Sequence, residues 1–147
     1  MVTELQMVLR LILSAVLGGI VGLEREINSK AAGFRTHTLV CIGSCLMMLT
    51  SMHIFDIYIG LTDVDPARIA AQVVSGIGFL GAGTIIRSRV SIHGLTTAAS
   101  IWSVAGVGLA VGSGLFIISF FATALIVVSL FILRKFQDKI SHRQQTV

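Results

Sequence analysis

Five apolar stretches, residues 5–23, 36–59, 67–86, 95–111 and 115–133, fill most of this 147-residue chain, and charged side chains are pushed into the gaps between them. Each comes close to the ~20 residues that an α-helix needs to cross a bilayer. Inside hydrocarbon every backbone N–H and C=O must find a partner within the protein, and a helix does this segment by segment. A hydrophobic fraction of 54% and a mean hydropathy of +0.92 agree with that constraint. The expected fold class is all-α: a polytopic integral membrane protein of five transmembrane helices. Residues 1–134 form its membrane domain and residues 135–147 a short basic tail.

The gaps give an orientation. Arg25, Lys30 and Arg35 separate the first and second stretches, Arg87 and Arg89 the third and fourth, and Arg134, Lys135, Lys139 and Arg143 follow the fifth. In a five-span chain these segments share one side. The other side carries Glu4, Asp56, Asp63 and Asp65 and the Gly112-Ser113-Gly114 turn. The positive-inside rule then places the amino terminus outside and the carboxyl terminus in the cytoplasm. The high pI is read as this topology signal, and nucleic acid is not an expected partner, because no folded basic surface is available to bind it. The amino end lacks a basic n-region and a small-residue cleavage site, so the first helix is expected to be retained.

Local signals refine the picture. Cys41 and Cys45, four residues apart in one helix, read as small polarizable packing residues and as poor candidates for a disulfide or a metal site. Asp65-Pro66 reads as the N-cap and first residue of the third helix. Gly94 breaks the chain before Leu95-Thr96-Thr97, where either threonine is a candidate cap. An odd helix count rules out two equal inverted halves in one chain. Five helices also enclose little volume, so a homo-oligomer, a dimer first, is expected within the lipid bilayer.

Candidate functional groups lie in the spans and at their ends. Arg68, Gln72 and Ser75 make a polar stripe on the third helix, with Thr96, Ser100 and Ser103 on the fourth and Arg10 and Ser14 on the first. Polar groups in a span ordinarily face the bundle interior. Interhelical hydrogen bonding and a solvated cavity both remain open readings of the stripes. Gly76-Ile77-Gly78-Phe79-Leu80-Gly81-Ala82-Gly83 contains a G-x-G-x-x-G pattern without the strand and βαβ context of a dinucleotide site. Gly76, Gly78, Gly81 and Gly83, with Gly18 and Gly22 on the first helix, are instead expected to let helices approach closely. No P-loop or catalytic triad can be assembled, and an enzyme is not expected. A divalent-cation path would want carboxylates in the membrane, whereas the charges there are Arg10 and Arg68.

Several motifs occur together in order: Gly22-Leu23-Glu24-Arg25-Glu26, Gly33-Phe34-Arg35-Thr36-His37, Asp65-Pro66-Ala67-Arg68-Ile69, the glycine-rich run from Gly76 to Gly83, and Gly94-Leu95-Thr96-Thr97-Ala98-Ala99-Ser100-Ile101-Trp102. Over about residues 10–115 the chain resembles the bacterial MgtC/SapB membrane protein family. The resemblance implies a multi-pass protein of the bacterial inner membrane linked to magnesium homeostasis. No cofactor is evident beyond Mg²⁺ itself. Implied partners are another membrane protein, such as the F-type ATP synthase or a Mg²⁺ transporter. Longer members of that family carry a cytoplasmic ACT-like domain after the fifth helix, which this sequence does not include.

The resemblance places Glu24, Arg25, Glu26 and Arg35 in a charged cluster at the cytoplasmic mouth. Asp65 and Arg68 would mark the outer end of the third helix, and Thr96, Thr97 and Trp102 the inner end and middle of the fourth. The first expectation is a regulator or accessory protein of magnesium and membrane-energy homeostasis. The alternative is a small transporter or channel for Mg²⁺ or another small solute. Its path would be lined by helices 1, 3 and 4 through Arg68, Gln72, Ser75, Thr96 and Ser100.

Overall fold

The computed structural model describes residues 2–61 and 63–144, with side chains described through residue 132. In chain order the elements are α1 (Glu4–Ile27), α2 (Phe34–Tyr58), α3 (Ala67–Gly83), β1 (Ile86–Arg87), β2 (Ile92–His93), α4 (Leu95–Ser113) and α5 (Phe116–Gln144). α1, α2 and α4 are long and apolar enough to cross a membrane, while α3 and the Phe116–Ile132 part of α5 are apolar but shorter. The backbone of α5 runs on as helix to Gln144, so most of the expected tail continues that helix. Residues 145–147 of that tail lie outside the described residues.

α1, α2 and α4 make the core. Leu17 and Val21 meet Cys41, Cys45 and Leu49 of α2 and Val104, Val107 and Val111 of α4, and α5 covers this cluster with Ala122, Ile126 and Leu130. Both cysteines are free thiols inside it. The helices touch backbone to backbone where glycines remove the side chain. A Cβ on Gly18 would lie 2.5 Å from the Cys41 Cβ, and one on Gly22 would lie 2.7 Å from the Phe34 Cα. Gly112 plays the same part between α4 and α2, where a Cβ would stand 2.7 Å from that of Met48. A Cβ on Gly108 would collide with the Cys41 carbonyl. Gly108 was not singled out from sequence, and Gly112, read there as part of a turn, lies inside α4, which ends at Ser113 with Gly114 as its C-cap.

Helix ends follow local chemistry. Thr3 and Gln6 form a capping box at the start of α1, each side chain accepting the other's backbone N–H. Asp65 Oδ1 accepts the Ala67 N–H at 2.8 Å and so serves the start of α3, but the N-cap position falls on Pro66 and not, as expected, on Asp65. The threonine caps expected for α4 do not form. Gly94 occupies the N-cap in a left-handed conformation at φ 89°, without a capping side chain, and Thr96 and Thr97 fall inside the first turn. α3 also ends three residues before the apolar stretch does. Ile86–Arg87 pair antiparallel with Ile92–His93 in a small hairpin closed by hydrogen bonds between Ser88 and Ser91.

Candidate functional site

The densest buried polar cluster lies where α1 ends and α2 and α4 begin. Arg25, 3% exposed, donates from Nη2 to Thr97 Oγ1 at 3.2 Å. Its Nη1 lies 3.6 Å from Glu24 Oε2. A buried guanidinium is tolerable only when paired and hydrogen-bonded, and these contacts supply both across two helices. Arg25 also sits in the last turn of α1, where the helix dipole favours a cation. Of the expected charged cluster, Glu24 and Arg25 stand together, whereas Arg35 is exposed. Glu24 Oε1 also accepts from Asn28 Nδ2 at 2.6 Å. Glu26 Oε2 reaches back to the Phe34 N–H at 3.0 Å and ties the α1–α2 connection to α2.

His37 is the residue that sequence reasoning missed. It is fully buried, with Nδ1 2.9 Å from the Gly33 carbonyl and Nε2 2.9 Å from Ser100 Oγ. A carbonyl only accepts, so Nδ1 carries the hydrogen, and in the neutral ring Nε2 and the Thr97 carbonyl compete for the single Ser100 hydroxyl hydrogen. Ser100 Oγ lies 2.8 Å from the Thr97 carbonyl as well, which joins His37 to the turn that holds Arg25. The signal was present in the spacing: residues 37, 41 and 45 repeat every four positions, so the histidine shares the buried face of the two cysteines.

A cavity of about 650 Å³ opens beside this cluster, lined by Arg25, Lys30, His93, Thr96, Thr97 and Ser129 among others. Its wall includes the first turn of α4, whose backbone N–H groups no side chain caps. Uncapped amides, a buried guanidinium and a lysine give the chamber positive character.

The other expected residues lie apart. Arg10 lies apart from the polar cluster and pairs inside the bundle: Nη1 donates to the Gly112 carbonyl at 2.6 Å and the guanidinium stands 5.5 Å over the Phe116 ring. It thereby satisfies the carbonyl end of α4. Arg68, Gln72 and Ser75 are exposed, as are Asp65, Thr96 and Trp102. The stripe of α3 therefore faces away from Thr97 and Ser100, contrary to the expected convergence within one chain. The reason is that α3 turns Val73, Ile77 and Gly81 toward α2 and α4, which leaves the polar face opposite. Of the α3 glycines, Gly81 alone packs inward, in ordinary contact with Ala98; Gly76, Gly78 and Gly83 have nothing within 4 Å of a Cβ. Among the described residues no three His, Cys, Asp or Glu side chains gather to hold a metal ion.

Comparison with known proteins fixes the lineage. No solved structure matches the chain. YhiD of Escherichia coli K12, whose name gives it provisionally as a magnesium transporter, is 44% identical over 122 residues, covering 82% of this chain and 57% of YhiD. An uncharacterized protein of Haemophilus influenzae is 42% identical over 125 residues, covering 82% of this chain and 52% of the relative. Protein MgtC of Salmonella typhimurium is 41% identical over 135 residues, covering 91% and 55%. The chain thus spans about half the length of these curated relatives. The MgtC family model matches residues 11–139, and the chain belongs to the MgtC family.

Proposed function

We propose that this chain is a membrane-embedded regulator or accessory subunit in magnesium and membrane-energy homeostasis, and that it works through the chamber beside Arg25. The observation that carries this reading is the join of Arg25, Thr97, Ser100 and His37 across α1, α2 and α4. Such a network, reaching from α1 to α2 and α4, holds three helices in one arrangement. A partner that engages the adjoining cavity therefore acts on the bundle as a whole. In the orientation expected from the basic gaps, this chamber opens to the cytoplasm of a bacterial inner membrane. Its positive lining suits an anionic group on a ligand or on a partner membrane protein, of which an ATP synthase or a Mg²⁺ transporter are the candidates.

The transport reading draws its support from the name of YhiD. Within a single chain Arg68, Gln72 and Ser75 lie on the outside of the bundle, so a path through them would have to form between chains. Mg²⁺ uptake into liposomes holding the purified, oriented protein separates the two readings. Uptake no greater than in empty liposomes is the expected result. Uptake that Arg68→Ala abolishes would replace the regulator with a transporter.

A further inference from the structure

The outward face of α3 is unlike that of a helix facing lipid. Arg68, Gln72, Ser75, Gly76, Phe79 and Gly83 fall within an arc of about 100° at 3.6 residues per turn, and all are exposed. Polar side chains in a membrane ordinarily face protein or a watery cavity, and small residues mark helix contacts. Beside this arc, toward α2, runs a groove of about 300 Å³ lined by Gly43, Ser44, Met47, Gly76 and Leu80 among others. Ser44 is 3% exposed, and its hydroxyl has no hydrogen-bond partner. Neither Gly43 nor Gly76 has anything within 4 Å of where a Cβ would stand.

We infer that a second copy of this chain covers the face, with the two α3 helices side by side about a two-fold axis along the membrane normal. The face is self-complementary in three respects. Gln72, Gly83 and Gly76 fall within about 40° of one another and mark a contact midline on the groove side of the arc, where small residues allow close approach. The Gln72 amide both donates and accepts, so it can pair with its own copy. Phe79, 82% exposed, flanks that midline on one side, and the groove flanks it on the other. The two-fold therefore lays each Phe79 over the partner's groove, at the depth of Gly76 and Leu80. Charge agrees with the same axis: Arg68 lies on the Phe79 flank and meets the partner's α2–α3 connection, where Asp63 and Asp65 are exposed. A closed, isologous pair of this kind leaves no further α3 face to extend. The inference depends on the chain being embedded in a bilayer, and is independent of which process it regulates.

The test uses the full chain in lipid nanodiscs or liposomes. Mass measurement should give two copies, and Gln72→Cys should form a disulfide-linked dimer on mild oxidation, whereas Ile117→Cys on α5 should not. Phe79→Ala and Gly76→Leu should each weaken the dimer by at least about tenfold with helical content unchanged. The cysteine variant leaves the packing nearly intact, so the result does not hinge on whether the larger substitutions fold. A one-copy mass, with or without bound lipid, would overturn the inference. So would a dimer that cross-links at Ile117 but not Gln72, or a stable complex in which a different membrane protein occupies the α3 face.

Discussion

Arg25 and Thr97 stand 72 residues apart, yet one guanidinium nitrogen donates to the threonine hydroxyl across 3.2 Å inside the bundle. The bond ties the last turn of α1 to the first turn of α4. It explains why a cation is stable at a position 3% exposed. Thr97→Val preserves shape and removes the acceptor. The expected cost is about 1–3 kcal/mol for a charged group left short of a hydrogen bond, read as a lower thermal midpoint in detergent. Thr97→Ser should restore most of it. Equal stability of the valine and serine variants would show that the bond contributes nothing.

Glycine contacts allow a sharper contrast. At Gly18 a Cβ would lie 2.5 Å from the Cys41 Cβ and 2.8 Å from the His37 carbonyl oxygen, whereas at Gly78 nothing lies within 4 Å. Gly18→Ala should therefore cost about 1–3 kcal/mol through overpacking of α1 on α2. Gly78→Ala should be neutral or stabilise by up to about 1 kcal/mol, as expected for a helix-interior glycine with free space. Denaturant titration of the two variants side by side checks the ordering.

At the opposite end of the bundle, Arg10 holds the Gly112 carbonyl and the Phe116 ring. Arg10→Leu should loosen the α4–α5 junction by about 1–3 kcal/mol. Amide hydrogen exchange should then rise at Ser113–Phe116 while the Cys41–Cys45 region stays protected. Uniform exchange across both regions in the variant would point to global destabilisation and away from a local clamp.

The start of α3 offers a local test. Asp65→Ala should cost about 1 kcal/mol by removing the acceptor for the Ala67 N–H, and Asp65→Asn should cost much less. Thermal unfolding of the pair would distinguish capping from a purely electrostatic role, in which the asparagine would behave like the alanine.

How these residues divide between sequence and structure follows from the range of the forces involved. Hydrophobic runs bounded by charge determine that the chain is helical, and side chains within a few residues determine features such as the Asp65 bond to the Ala67 N–H and the shared face of Cys41 and Cys45. Gly18 and Gly22 were legible as contact residues because their four-residue spacing puts both on one face of a helix. Tertiary structure alone decided how each helix is rotated. The 100° turn per residue shows which residues share a face, and not which neighbour that face meets. On α3 the packing turned Val73 and Ile77 inward, so Arg68, Gln72 and Ser75 point outward although the usual membrane rule favours the reverse. For the same reason the partners of Arg10, Arg25 and His37 were not legible. Each bond joins residues 63 or more positions apart in the chain, and only the packed arrangement of α1, α2 and α4 brings them within reach.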